Sequence, residues 1–253
     1  MMLEQKEYRL HSSRGSQTRS VAFFLPCCAV LWGVFLPTGA VAQPFDPAPD
    51  RLSILSWNVE WMFDHDTRDN ASRLSREQSA PSQAYWEAKL RGVADVIAAS
   101  RAHIVALQEI EGVQTLRDLQ DEIDDRHGIH YRFAFIPGTD TATEQDVGLL
   151  VRSASGLVAY CRHEQSYAMF SSREYYNLSK HIVAHFRWSN VAAPLVLLNL
   201  HLRATPEAEE IREKQIKLAR RWMQPYLESG ADVLIVGDFN TEYMVGQAGG
   251  DLA

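Results

Sequence analysis

The chain has 253 residues, of which 46% are hydrophobic and 23% charged, with a formal net charge of −7. That composition can bury a sizeable core and excludes a disordered tail or a collagen-like repeat. Three cysteines are too few for a disulfide scaffold, and the acidic balance argues against nucleic-acid binding driven by charge alone.

Residues 1–20 are polar and include Lys6, Arg9, Arg14 and Arg19. An apolar run from Val21 to Leu36 follows, interrupted at Pro26 and closed by Pro37, and Ala40-Val41-Ala42 precedes Gln43. A positive region, an apolar core and a small-x-small site in this order predict a cleaved secretory signal over residues 1–42. The protein is then expected in the periplasm or outside the cell; an uncleaved membrane anchor is the alternative. Cleavage leaves Cys161 as the only cysteine, a residue type more often a small core hydrophobe than a nucleophile. Residues 43–50, with three prolines, read as an extended linker. Residues 51–253 read as one domain.

Within that domain, apolar runs mark strands at Leu52–Trp57, Ile104–Leu107, Tyr131–Ile136, Val147–Val151, His181–Trp188, Leu195–Leu200 and Val233–Val236. Several are apolar on both faces, which suits strands lying between two layers. Trp86, Leu90, Val93 and Ile97 recur at helical spacing and predict an amphipathic helix over 84–99. Val113, Leu116, Leu119 and Ile123 predict a second, ended near Gly128. A third is expected to open with Thr205 as N-cap and Pro206 at its first position, burying Ile211, Leu218 and Trp222. The stretch 64–83 reads as a polar surface loop; its Asp64-His65-Asp66 lacks the spacing of a metal site.

Four of the strands end in polar residues of one kind: Ser56-Trp57-Asn58-Val59-Glu60, Leu107-Gln108-Glu109, Asn199-Leu200-His201 and Gly237-Asp238-Phe239-Asn240. If these strands neighbour one another, one edge collects carboxylates, amides and an imidazole. Carboxylate and amide oxygens suit a hard cation such as Mg2+, and imidazole or amide N–H groups can donate to a phosphoryl oxygen as charge develops. Taken singly, each has a plainer reading. Gly-Asp-Phe-Asn can be a turn, Glu109 a solvated strand end, Asn58 a loop cap and His201 a core histidine.

Together, in this order, the motifs Ser-Trp-Asn-Val-Glu, Leu-Gln-Glu-Ile, Asn-Leu-His-Leu and Gly-Asp-Phe-Asn resemble those of the endonuclease/exonuclease/phosphatase superfamily. The resemblance runs from about residue 51 to the end. It implies an α/β (α+β) four-layer sandwich: two mixed β-sheets packed face to face with helices outside. It implies metal binding at Glu109 with Asn58 beside it. His201 would contact the scissile phosphate, and Asp238 and Asn240 would hold the attacking water and the phosphoryl group. One of Glu144 or Asp146 lies where members carry another polar site residue. Lys180 and His181 could face substrate phosphate, or could lie at the surface.

The implied chemistry is Mg2+-assisted hydrolysis of a phosphate ester, with Mn2+ as a substitute. The implied substrate is a nucleic acid or a phospholipid head group, and no stable protein partner is implied. A sphingomyelinase-type lipid phosphodiesterase would need exposed aromatic loops, for which Trp61-Met62-Phe63 is the candidate. The family's Ser-Asp-His motif, which supplies the general base, does not occur in the sequence. The chain is therefore expected to be a C-terminally truncated member with strands missing. Lost acid–base catalysis alone would reduce activity roughly 10²–10⁴-fold, and a non-catalytic remnant or binding protein on the same scaffold is the alternative.

Overall fold

Strands that are apolar on both faces need a layer on each side, and the molecule supplies one. A computed structural model of the protein describes residues 4–8, 45–152, 155–166 and 178–241. In chain order its strands are β1 (Glu4–Tyr8), β2 (Leu52–Met62), β3 (Ile104–Ile110), β4 (Tyr131–Phe135), β5 (Asp146–Arg152), β6 (Leu157–Cys161), β7 (His181–Phe186), β8 (Leu195–His201) and β9 (Asp232–Asp238). The helices are α1 (Arg73–Gln78), α2 (Gln83–Ser100), α3 (Val113–His127) and α4 (Glu209–Glu228).

Two mixed sheets form, with strand orders β1-β2-β3-β5-β4 and β6-β7-β8-β9. The β2–β3 and β8–β9 pairs are parallel, and the remaining pairs are antiparallel. Side chains alternate between the two faces of each strand, so three apolar layers result. Leu55, Trp57, Val105 and Leu107 pack beneath α2 and α3. Leu52, Ile54, Ile104 and Ala106 meet Ile182, Ala184, Leu195 and Leu197 between the sheets. Val196, Leu198 and Leu200 pack beneath Leu218, Trp222 and Met223 of α4. The expected four-layer sandwich is therefore the observed one.

Strand β1 lies inside the expected signal segment and pairs antiparallel with β2 (Glu4↔Ser56, Tyr8↔Leu52). The apolar run 21–36 lies outside the described residues. Among the described residues, no helix is long and apolar enough to cross a membrane. Helices α2 and α3 sit where apolar spacing predicts them. Ser82 caps α2 by accepting from the Tyr85 N–H, and Gly128 ends α3 in the left-handed region at φ 62°.

Three expectations change. Thr205 precedes the first turn and Pro206 opens it, as expected, but Thr205 has φ 85° and its side chain makes no cap hydrogen bond. The chain enters α4 through a 3-10 turn at Pro206–Ala208, held by Arg212, which donates to the carbonyls of Arg203 (3.3 Å) and Thr205 (2.5 Å). The polar stretch 64–83 contains the short helix α1, capped by the Ser72 hydroxyl on the Ser75 N–H at 2.9 Å. Strand β6 was not expected, although Leu157-Val158-Ala159-Tyr160-Cys161 is an apolar run; Val158 and Tyr160 are exposed on it. Cys161 is buried in the layer beneath α4, as expected of a core cysteine.

Candidate metal-centred active site

Strand alternation carries most of the site into the space between the sheets. On β2 and β3, Leu52, Ile54, Ile104 and Ala106 face the opposite sheet, and Asn58 and Gln108 continue that parity. On β8, Leu195 and Leu197 face inward, and Asn199 and His201 follow. On β9, Leu234 and Val236 pack against the same layer, and Asp238 follows. Parallel registers set Asn58 beside Gln108 and His201 beside Asp238. Going toward the strand ends, the inter-sheet core thus turns from hydrocarbon to amide to ionisable side chains.

The amide layer closes on itself. Gln108 donates to Asn199 Oδ1 at 2.8 Å, and Asn199 Nδ2 donates to the carbonyls of Leu107 and Gly148, both at 3.1 Å. Buried amides need such partners, and here they tie the two sheets together directly below the site. Sequence reading did not single out Gln108 and Asn199 for this role. The available signal was a lone amide in the apolar run Leu195–Leu200.

Glu109 breaks the parity. By alternation its side chain belongs on the helix-covered face. Its φ is 64°, and a register shift separates Gln108 from Ile110 where β3 pairs β5. This bulge turns the carboxylate toward Asn58, as bulges beside active sites do. The facing stretch of β2 is irregular too, between Asn58 and Met62, with Glu60 at φ 52° and Trp61 at φ 50°. Left-handed backbone at non-glycine residues costs about 1–2 kcal/mol each. Gly237 meets a different demand: at φ 132°, a Cβ there would lie 1.9 Å from the Leu200 carbonyl oxygen. Only glycine lets β9 approach β8 this closely just before Asp238.

Asn58 organises the carboxylates. Its NH2 donates to Glu109 Oε1 at 2.8 Å and to Asp238 Oδ2 at 2.7 Å, while its Oδ1 accepts from the Glu60 N–H at 2.9 Å. Asn58 therefore presents donors to the cluster and spaces the two carboxylates. Glu109 Oε2 accepts from the Trp61 N–H at 2.9 Å. Asp238 Oδ1 accepts from the Asn240 N–H at 2.8 Å. Asn240 itself has φ 49° and spends its NH2 on the Leu202 carbonyl at 2.9 Å, so it braces the ends of β8 and β9.

His201 Nε2 lies 3.9 Å from both Glu109 Oε1 and Asp238 Oδ2, too far for hydrogen bonds. Its Nδ1 is buried without a partner. Burial first, and then the Lys180 charge, push its pKa down to about 3 against the opposing pull of Asp238 and Asp140, so the ring is neutral at pH 7. Among the described residues, Glu109, His201 and Asp238 form the one group of at least three potential ligands, with ligand atoms within 4.8 Å of one another. Two carboxylate oxygens and one neutral imidazole nitrogen fit a divalent cation.

The remaining sequence candidates lie apart from this cluster. Lys180 is buried, paired with Asp140 at 3.1 Å, and donates to Gln145 Oε1 at 3.1 Å. Its backbone carbonyl accepts from the His201 N–H at 3.1 Å. Burial raises the Asp140 pKa, but the Lys180 charge and hydrogen bonds from Thr143 and Ala142 outweigh it and hold the group at about 2. Asp146 accepts from the Gly138 N–H at 2.7 Å, and burial pushes its carboxyl up to about 7. Glu144 accepts from the Ala71 N–H at 3.0 Å and also from Ser72, pinning the loop before α1. His181 is fully buried, with Nδ1 on the Leu178 carbonyl and Nε2 accepting from the His163 N–H. Asp140 was not anticipated: in Pro-Gly-Thr-Asp it reads only as a turn residue. Met62 and Phe63 are core residues at 0% and 1% exposure, and only Trp61 of that trio reaches the surface.

A profile of the "Endonuclease/Exonuclease/phosphatase family" matches residues 55–245. A comparison with curated protein sequences gives no match. Among solved structures, ANGEL2, described as a 2',3'-cyclic phosphatase in complex with adenosine-2',3'-vanadate, is similar with a TM-score of 0.53 at 14% identity, over 75% of this chain and 54% of that one. The human nocturnin catalytic domain with bound sulfate is similar with a TM-score of 0.50 at 16% identity, over 76% of this chain and 64% of that one. TDP2 from C. elegans matches over 76% of this chain and 48% of its own length, with 18% identity and a TM-score of 0.47. At such identities the likeness is one of fold, and the chain spans about half to two thirds of these structures. The site motifs all fall within the matched span, and the chain belongs to the endonuclease/exonuclease/phosphatase family, whose members are hydrolytic enzymes that use divalent metals.

Proposed function

We propose that this chain is a Mg2+-dependent phosphoesterase of the phosphodiesterase or nuclease type. One observation carries the reading: Glu109 from one sheet and His201 and Asp238 from the other bring their ligand atoms within 4.8 Å. Glu109 and Asp238 would hold the cation, kept apart by the Asn58 amide. A cation there supplies Lewis-acid polarisation of a phosphoryl oxygen and offsets the charge of an in-line displacement. The neutral His201 ring has an N–H to offer a phosphoryl oxygen in a site where fixed donors act strongly. Asn240 orients Asp238 through its backbone N–H.

A nucleic-acid type of phosphodiester fits better than a phospholipid head group. Membrane entry by Trp61-Met62-Phe63 would need an exposed loop, and two of those three side chains are in the core. The direct test is hydrolysis of bis(p-nitrophenyl) phosphate with Mg2+ or with a chelator, alongside Mn2+ titration of wild type and Glu109→Gln. Metal-dependent turnover is expected, with affinity lowered about 100-fold or more in the variant. Equal affinity would remove Glu109 from the site. Metal binding without turnover would favour the non-catalytic scaffold instead.

The basic, apolar and small-x-small order of residues 1–42 supports export. Cleavage after Ala42 would also remove β1 and open the outer edge of β2. N-terminal sequencing of exported protein should begin at Gln43; a product retaining Glu4–Tyr8 would make that strand part of the mature domain.

A further inference from the structure

The bulge that aims Glu109 has a partner on α2. Glu60 and Trp61 are consecutive left-handed residues, at φ 52° and 50°, a pairing that non-glycine residues adopt only when their surroundings impose it. Lys89 imposes it from the helix: its ammonium donates to the Trp61 carbonyl at 2.8 Å and also to the Glu60 carbonyl. The neighbouring Trp86 and Leu90 are buried in the layer between α2 and the sheet, which anchors that turn of the helix. The same Trp61 whose carbonyl Lys89 holds sends its N–H to Glu109 Oε2 at 2.9 Å. The opposite oxygen, Oε1, accepts from Asn58 and is the one 3.9 Å from His201 Nε2.

We propose that Lys89 is a positioning residue for the candidate metal ligand Glu109, acting through the Trp61 peptide. Clamped on two carbonyls, the ammonium orients the Trp61 N–H, and that N–H fixes the rotation of the carboxylate. Oε1 is then presented to the cluster, and Oε2 is turned away. The metal half of this inference rests on the phosphoesterase reading; the clamp itself does not.

Charge and geometry act in opposite directions here, which makes the idea testable. A lysine near a cation site repels the cation, so electrostatics alone predicts tighter metal binding when Lys89 is neutralised. Positioning predicts the reverse. Burial also lowers the Lys89 pKa against the pull of Glu60 and Glu109, as desolvation does for an ammonium drawn beneath the surface.

The experiment uses Lys89→Met, which keeps the apolar stem, and Lys89→Arg, which keeps charge and donors. Metal-free hydrogen exchange over residues 60–62 should be about tenfold faster in K89M and close to wild type in K89R. Mn2+ titrations should weaken about tenfold in K89M and recover to within about threefold in K89R. In a Glu109→Gln background, K89M should change Mn2+ affinity no further. A folded K89M with unchanged exchange, or with unchanged or tighter Mn2+ binding, overturns the proposal. If wild type binds no Mn2+, the phosphoesterase reading fails, and the exchange data still decide whether Lys89 holds the Trp61 N–H. Should K89M not fold, Lys89→Gln takes its place in both measurements.

Discussion

Two polar clusters flank His201, and they are built to opposite ends. In the first, Glu109, Asp238 and His201 stand apart: the imidazole is 3.9 Å from each carboxylate and keeps an unpartnered nitrogen. In the second, Asp140 and Lys180 are in contact at 3.1 Å, and Lys180 also reaches Gln145. The first cluster leaves lone pairs and space, which is what a cation or a phosphoryl group requires. The second uses its charges internally, which suits a brace beneath the strand that carries His201. Lys180 was as much a candidate as Glu109 on chemical type alone; what separates them is whether the charge already has a charged partner.

The largest test of that contrast is Lys180→Met. Removing the ammonium leaves the Asp140 carboxylate, with a side chain 10% exposed, buried without its cation. Such losses cost about 3–5 kcal/mol, readable by denaturant unfolding, while Mn2+ affinity should stay within about threefold. Intact stability with a raised KM would instead return Lys180 to the substrate site suggested by its place in the sequence. Glu109→Gln is the mirror image. It disturbs one of two hydrogen bonds, so the expected stability loss is about 1 kcal/mol, against the large loss of metal affinity.

The last test is a pH slope in the closed cluster. Burial places the folded Asp146 pKa at about 7, above its ordinary 3.8. The native state therefore holds a proton in that window which the unfolded chain has lost. Stability from this group is present below the unfolded value and is lost as pH rises through the folded one, at up to about 1.4 kcal/mol per pH unit. Asp146→Asn should gain stability relative to wild type as pH rises from about 4 to 7, and then level off. A constant difference across that range would mean that Asp146 is ionised throughout.

Much of the fold was legible because burial on both faces leaves a plain signal. The seven apolar runs all became strands, and most grew by one or more residues at the polar end, where hydropathy says nothing. Strand β6 was passed over although Leu157–Cys161 is itself an apolar run; it differs from the other seven in leaving Val158 and Tyr160 exposed, which hydropathy does not foretell. Helix α1 escaped because five polar residues and a lone Leu74, held by a serine cap, carry no apolar period. Thr205 misled for a related reason: Thr-Pro is a good helix opening locally, but Arg212 captures the carbonyls of Arg203 and Thr205 and bends the entry into a 3-10 turn.

The sequence by itself determined which side chains enter the space between the sheets. Strand alternation is a local property of the backbone, so Asn58, Gln108, Asn199, His201 and Asp238 follow from apolar residues two or four places before them. The motif order likewise identified the family before any packing was known. Tertiary structure decided the remainder. Glu109 points into the site only because a left-handed bulge opposes its parity, and that bulge exists where Trp61 and Lys89 arrive from other elements to hold it. Lys180 is a brace because Asp140, forty residues earlier, happens to reach it. Alternation is written in neighbouring residues, whereas a reversed side chain or a buried ion pair depends on partners that only the folded chain brings within reach.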